Sequence, residues 1–280
     1  MCAAWHCSGA TNNDLIDNLQ KGALIRDDRV ANAMRAVDRG DFTAHNPYRD
    51  SPVSIGHGVT ISAPHMHAHA LEQLVNHASR QGAKILDVGC GSGYLSMALS
   101  LLAPTNDSTV FGIDVLPELV LLSAENVGKS ALGRSLLESK RVRLSLADGW
   151  KGLPAHGPFD AIHVGAAARE VPADLVAQLA PLGRMIIPVG PHGAAQNFLR
   201  IDRDANGSLH QTALFGVRYV PQVEGKQLPT TSAKHNTPTP AAGGEEDSGA
   251  ACALNDGGEG SKPASGDGVE SGDGVESGGR

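Results

Sequence analysis

The chain is expected to fold as an α/β protein: a mainly parallel, doubly wound sheet with an N-terminal helical addition. Three observations predict it. Short apolar strands alternate with apolar helices from Lys84 onward, successive strands end in glycine or aspartate, and the segment before them has helical spacing. Alternating βα units imply parallel strands covered on both faces, with ligands bound beyond the carboxyl ends where strand order reverses.

The elements follow in order. In "NDLIDNLQKGAL", Leu15, Ile16 and Leu19 sit at helical spacing and Gly22 is a stop. In "DDRVANAMRAVDRGDF", Val30, Met34 and Val37 share a face, acids lie at the start where the helix dipole favours them, and Gly40 ends the run. "TAHNPYRDSPVSIGHGVTIS" is rich in Pro, Gly, Ser and Asn and reads as a long ordered loop. A helix, "PHMHAHALEQLVNHAS", follows. Then come strand "AKILDVG", helix "YLSMALSLLA", strand "TVFGID", helix "PELVLLSAENVGKSAL", strands "VRLSLAD" and "FDAIHVGA", helix "PADLVAQLA" and strand "RMIIPVG". "NFLRIDRD" and "HQTALFGVRYVP" form a hairpin through Asn206-Gly207, so the sequon Asn206-Gly207-Ser208 marks a turn. From Glu224 the chain is Gly, Ser, Pro, Thr and acid, with a duplicated "SGDGVE"; it holds too little apolar surface to offset its ordering entropy. The expected organisation is therefore 1–80, N-terminal helical region and active-site loop; 81–223, core; 224–280, disordered low-complexity tail.

Of the 280 residues, about 220 remain to build one core. A net charge of -7 with no basic stripe argues against a nucleic-acid partner. The four cysteines, Cys2, Cys7, Cys90 and Cys252, are scattered and do not form a disulfide framework. No apolar run approaches membrane-spanning length, and a monomeric cytoplasmic protein is expected.

Two patterns carry chemistry. "TISAPHMHAHALEQL" places His65, His67 and His69 at alternate positions. Pro64 favours a helix there, on which only His65 and His69 share a face, so no metal is expected; Ser62 or Ala63 would stand at the cap. The second pattern, "LDVGCGSGYLS", is a strand, a glycine turn and a helix. A dinucleotide site wants a third small residue, which fails here at Tyr94 or Ser96, depending on the register. Instead Asp87 precedes Gly89, a carboxylate suited to a cationic group. Asp114 ends the next strand, where an acid accepts from ribose hydroxyls, and Asp148 ends the third, with Gly149 leaving room for a purine. Amino acid, sugar and purine without phosphate describe S-adenosyl-L-methionine.

These segments, together with "NPYRDSPVSIGHGVTISAPHMHAHALEQL", "GIDVLPELV", "DAIHVGAAA" and "GRMIIPVGP", resemble the protein-L-isoaspartate (D-aspartate) O-methyltransferase family in family order, from about Asn13 to Pro221. The resemblance implies a Rossmann-like fold dependent on S-adenosyl-L-methionine, with S-adenosyl-L-homocysteine as product. It implies methylation of the free carboxylate of L-isoaspartyl, and of D-aspartyl, residues in damaged proteins. Ser62 matches the family's active-site serine. Val59, Thr60, Ile61, Ser62 and His67 match the cofactor-covering segment, and Asp87, Gly89, Asp114, Val115, Asp148 and Gly149 match the remaining cofactor contacts. Leu182 stands where a second glycine is common.

The acceptor is a carboxylate, ionised at neutral pH, so no strong base is required and positioning supplies the catalysis. The segment from Asn46 to Ser62 is the candidate lid over a flexible peptide. Methylation would let a succinimide close and part of the normal linkage return. The alternatives are another class I methyltransferase acting on a small molecule or RNA, an NAD-dependent oxidoreductase, and a cofactor-binding protein without turnover.

Overall fold

The computed structural model describes residues 7–103, 107–191, 194–217 and Tyr219. The tail expected from Glu224 lies outside the described residues, as do Val220 and Pro221.

Two helices open the chain, α1 (Asn12–Lys21) and α2 (Asp28–Ala36). Thr11 caps α1 in a reciprocal box with Asp14, and Asp27 caps α2 by accepting from Arg29 N. Their buried faces, Leu15, Ile16 and Leu19 against Val30 and Met34, are the helical stripes read from sequence. The segment expected to be only loop is more ordered. It holds an antiparallel hairpin of β1 (Val53–Gly56) and β2 (Val59–Ile61), and before it the second helix stops at Ala36, short of the expected Gly40, which lies in a 3-10 turn at Arg39–Asp41. His57 and Gly58 turn the hairpin with positive φ, a geometry that "GHG" allows but its strands, three or four residues long, do not announce.

Helix α3 (Pro64–Ala78) follows, then β3 (Lys84–Val88), α4 (Tyr94–Leu102) and β4 (Thr109–Asp114). The next expected helix is two: α5 (Pro117–Gly128) and α6 (Ala131–Glu138), divided where Ser130 leaves the helix and caps α6 through Gly133 N. After them come β5 (Val142–Leu146), β6 (Phe159–Val164), α7 (Ala173–Ala177), β7 (Leu179–Val189), β8 (Gln196–Arg203) and β9 (Leu209–Val217).

The sheet order is β5-β4-β3-β6-β7-β8-β9, with β8 and β9 antiparallel to their neighbours and the rest parallel. The chain winds outward from β3 in one direction and from β6 in the other, so the reversal lies between those two strands. Alternate strand residues feed two cores. Ile85, Val110, Val142, Ala161 and Ile186 share one core with residues of α1 to α6, whereas Leu86, Phe111, Ile162, Met185 and Ile187 share the other with α7 and Trp150. The sheet is thus Rossmann-like, with its ligand edge at Val88 and Val164.

One local departure has a price. β7 begins earlier than "RMIIPVG" indicates, and Leu182 within it has φ +60 while its side chain is 54% exposed. A left-handed non-glycine residue costs about 1–2 kcal/mol, whereas glycine loses about 0.5–1 kcal/mol more entropy on folding. Leu182→Gly should therefore stabilise the protein by roughly 0.5–1 kcal/mol. Urea denaturation would show this as a raised midpoint at unchanged slope; an unchanged or lower midpoint contradicts it.

Candidate active site

The glycine turn sits at the reversal point. Gly89 N and Cys90 N both donate to Ile113 O, at 2.8 and 3.0 Å, and Gly93 N closes the turn onto Cys90 O at 2.8 Å. Gly89, Gly91 and Gly93 all have positive φ. Their surroundings differ. A Cβ on Gly93 would lie 3.0–3.2 Å from Ser123 and Val127 of α5, so this glycine allows helix packing. A Cβ on Gly89 or Gly91 would make ordinary van der Waals contacts, none closer than 3.8 Å, so packing against neighbours does not require glycine at either position. Cys90 is buried, and burial pushes its thiol well up, so it has no nucleophilic character.

The three strand-end acids have different surroundings. Asp87 is 1% exposed; Oδ1 is 2.7 Å from His163 Nδ1, and Ser96 Oγ donates to Oδ2 at 2.5 Å. Its carboxylate is oriented by two partners and retains lone pairs. Gly112 pairs with Asp87 in register, and a Cβ there would lie 2.7 Å from Ser96 Oγ, so its lack of a side chain makes room for that bond. Asp114 accepts from Gly91 N at 3.1 Å and from Leu116 N at 3.2 Å. Burial raises its pKa, and those backbone donors oppose the rise. Asp148 takes Trp150 N at 2.9 Å, and neighbouring Ala147 N donates to Asp114 O at 3.0 Å, which brings the second and third acids to one rim. Val115 is partly buried and Gly149 is buried beside them. A positive-φ glycine turn with acids along its rim fits a ligand that is cationic at one end and rich in hydroxyls. It fits a pyrophosphate poorly.

The second half of the site comes from the hairpin and α3. Val59, Thr60 and Ile61 are β2, and Ser62 links it to the helix. The N-cap is Ala63, with no side-chain cap bond, so the Ser62 hydroxyl is not consumed in capping. Asp50 serves that end from a distance: His65 N donates to its Oδ1 at 3.0 Å, and His65 Nδ1 lies 2.8 Å from the same oxygen. The three histidines diverge. His65 meets Asp50, His67 meets Arg39, and His69 lies against Phe215 with ring centroids 4.8 Å apart. Arg39 is wholly buried, and its Nη1 is 3.2 Å from His67 Nδ1 while Nη2 donates to Ser62 O at 2.7 Å. Burial holds His67 well below its ordinary pKa, so the ring is neutral; with Arg39 donating to Nδ1, the ring proton is on Nε2. His67 stacks on Tyr94 at 4.7 Å, the first residue after the glycine turn.

A cavity of about 750 Å³ opens beside Ser62, lined also by Thr60, His65, Gly165, Val217 and Tyr219. Gly165 N donates to Val88 O at 2.8 Å, so the cavity adjoins the strand end that carries Gly89. Ile55 of the hairpin lies over Gly91, 3.8 Å from where its Cβ would be. The structure thus links Asp87, Gly89, Asp114 and Asp148 around one turn, and places Thr60 and Ser62 on an adjoining cavity. Val59, Ile61 and His67 join through their own elements. Arg39, Asp50, His163 and Tyr219 were missed by sequence reasoning. His163 had a visible signal, a polar residue inside the apolar strand "FDAIHV".

The chain matches, over residues 10–227, the family profile described as protein-L-isoaspartate(D-aspartate) O-methyltransferase. A protein-L-isoaspartate O-methyltransferase of Caenorhabditis elegans is 46% identical over 218 residues, 78% of this chain and 95% of the relative. One from Triticum aestivum is 44% identical, covering 75% of this chain and 90% of the relative. Among solved structures, a Plasmodium falciparum chain described under the same name, in complex with S-adenosyl-L-homocysteine, superposes with a TM-score of 0.71 at 36% identity. That match covers 77% of this chain and 99% of the other.

Proposed function

The chain belongs to the protein-L-isoaspartate(D-aspartate) O-methyltransferase family, and we infer from that membership that it methylates the free carboxylate of L-isoaspartyl residues in damaged proteins, using S-adenosyl-L-methionine. The observation that carries the reading is the placement of Ser62: an uncapped hydroxyl on a cavity that adjoins a glycine turn rimmed by acids. The ester then leads to a succinimide and back toward normal aspartate. D-aspartyl residues are a second substrate by the family's description.

S-adenosyl-L-methionine supplies, when bound, a methyl group already activated by a sulfonium. Asp87 would attract its cationic amino-acid end, Asp114 would accept from the ribose hydroxyls, and Asp148 with Gly149 would face the purine; Val115 and Gly89 would border it. Val59 to Ile61 and His67 would close the site from the hairpin side. An ionised acceptor needs no base, so no proton moves in the transfer. Ser62 donates a hydrogen bond to one carboxylate oxygen and fixes the direction of the other. Water is excluded by the hairpin, the candidate lid within Asn46 to Ser62. Orientation of this kind can lower a barrier by roughly 7–11 kcal/mol in favourable cases.

The preferred partner is a peptide, since a net charge of -7 disfavours RNA. Among the described residues no helix is long and apolar enough to cross a membrane. We place a monomer in the cytoplasm, a reading supported by the free, buried thiol of Cys90. Ser62→Ala should lower kcat on an isoaspartyl peptide about 10- to 100-fold, the loss of one transition-state donor at roughly 1.5–3 kcal/mol. S-adenosyl-L-homocysteine affinity should stay within a few-fold. Base-labile label on the isoaspartyl peptide, and none on its aspartyl twin, tests the substrate class; equal labelling refutes it.

A further inference from the structure

Asp87 belongs to a row of positions that crosses the sheet in register: Gly112 on β4, Asp87 on β3, His163 on β6 and Ile186 on β7. Positions in register share a face, here the one whose apolar core also takes Ile85 and Ala161. Asp87 and His163 are the polar pair of that row, 1% and 6% exposed, and they meet directly, with His163 Nδ1 2.7 Å from Asp87 Oδ1. A carboxylate accepts only, so the proton of this bond lies on Nδ1. The pair does little for the fold, because desolvating it is costly and packed apolar residues in place of a buried pair are often neutral or stabilising. Its position points to a ligand instead. β3 and β6 are the strands between which the order reverses, and Asp87 stands two residues before Gly89, as His163 does before Gly165 of the cavity wall. A Cβ on Gly165 would lie 2.9 Å from Gly89 O and 3.4 Å from His163 Cε1, so the ring sits where that wall meets the glycine turn.

The two partners of Asp87 constrain it unequally. The Ser96 hydroxyl hydrogen rotates about its C–O bond, so that donor tolerates several settings of the carboxylate. The planar imidazole offers Nδ1–H in one direction. We propose that His163 is a positioning residue for the cofactor: by donating Nδ1–H to Oδ1 it holds the Asp87 carboxylate with its remaining lone pairs toward the cationic amino-acid end of S-adenosyl-L-methionine. This rests on the role of Asp87 given above and extends it to β6. The terminal torsion of an aspartate is broad, so without the imidazole the ligand itself has to order the carboxylate, and affinity falls. The amino-acid end takes no part in bond making, so the loss falls equally on the ground and transition states and leaves turnover at saturation intact.

His163→Leu should weaken binding of S-adenosyl-L-homocysteine about tenfold by titration calorimetry. KM for S-adenosyl-L-methionine should rise by the same factor, with kcat on an isoaspartyl peptide within about twofold of the parent. His163→Asn, whose amide offers a donor near the Nδ1 position, should recover affinity to within about threefold. A merely structural role predicts no such rescue and a lower kcat. In an Asp87→Ala background, His163→Leu should cost nothing further; losses that multiply overturn the proposal, as does unchanged affinity in His163→Leu alone. The controls separate two failures. If Asp87→Ala leaves affinity unchanged, the role of Asp87 fails and the proposal with it; if Asp87→Ala weakens binding and His163→Leu does not, only the proposal fails. Should His163→Leu not fold, His163→Phe, planar like the imidazole, carries the same test. Ring nitrogen shifts of the unliganded protein add a readout that needs neither cofactor nor peptide. With the His163 signals assigned by their loss in His163→Asn, Nδ1 should read as protonated and should move in Asp87→Ala. An unprotonated Nδ1, or one that Asp87→Ala leaves in place, overturns the proposal whatever the peptide assay shows.

Discussion

Asp114→Ala should weaken binding of S-adenosyl-L-homocysteine by roughly 100- to 1,000-fold, measured by titration calorimetry. The carboxylate is 7% exposed at the end of β4, and its two oxygens already take Gly91 N and Leu116 N. Each oxygen keeps a lone pair for a ribose hydroxyl. Two hydrogen bonds to an ionised group contribute about 1.5–3 kcal/mol each, and tenfold in affinity is about 1.4 kcal/mol. Losing both gives 3 kcal/mol or more, and the glycine turn loses the acceptor of Gly91 N as well. Asp114→Asn, which keeps one acceptor oxygen, should lose only about a tenth as much affinity as the alanine variant. A loss below fivefold in Asp114→Ala would remove Asp114 from the cofactor site.

The same residue sets a pH dependence. Burial raises its pKa above the ordinary carboxylate value. Affinity for the cofactor product needs the ionised form, so it should be full at neutral pH and fall as pH drops through that raised value. The hydroxyl donors of a bound ribose favour the ionised form, so binding near that pH should release a proton. Asp114→Ala should abolish both the release and this part of the profile.

Much of this could be read from residues alone, for definite reasons. The βα rhythm is an apolar periodicity and survives without tertiary context, as do the glycine turn and the strand-end acids. Boundaries set by competing local bonds were less legible. The split of α5 from α6 depends on Ser130 preferring to cap, and the early start of β7 depends on pairing with β6. The hairpin β1–β2 is too short for its alternation to stand out. At the candidate site, sequence reasoning named residues adjacent to a motif and did not name those arriving from elsewhere. Asp50 reaches α3 from fifteen residues away, and Arg39 reaches His67 from twenty-eight. Neither spacing follows from any helix or strand period, because both cross a loop whose path only packing determines.

Arg39 shows how much that omission matters, since Arg39→Met should remove most activity while leaving the fold nearly as stable. The guanidinium is fully buried, and the charge of Asp50 acts on it through space. Burial pulls its pKa down to about 10, so it remains a cation at neutral pH. An effective desolvation cost of several kcal/mol therefore weighs against it. Opposing that cost are the bonds to Ser62 O and His67 Nδ1, the Tyr94 ring 5.6 Å away, and the packing of its stem. Methionine keeps most of the packing and removes the desolvation cost, but leaves a carbonyl and an imidazole nitrogen unpaired at about 1–3 kcal/mol each. The two sides nearly cancel, so net stability should change by no more than about 2 kcal/mol. Positioning does not cancel. Without the guanidinium, the Ser62 backbone and the His67 ring lose the group that joins them, and a displacement near 1 Å costs on the order of 100-fold in rate. We therefore expect kcat to fall 10- to 100-fold in a protein that still melts cooperatively within a few degrees of the parent. A lysine at this position keeps the charge but cannot bridge both acceptors with a planar fork, so it should rescue little of the rate. A variant that melts far lower yet turns over normally when folded would make Arg39 a residue of the fold and not of the site.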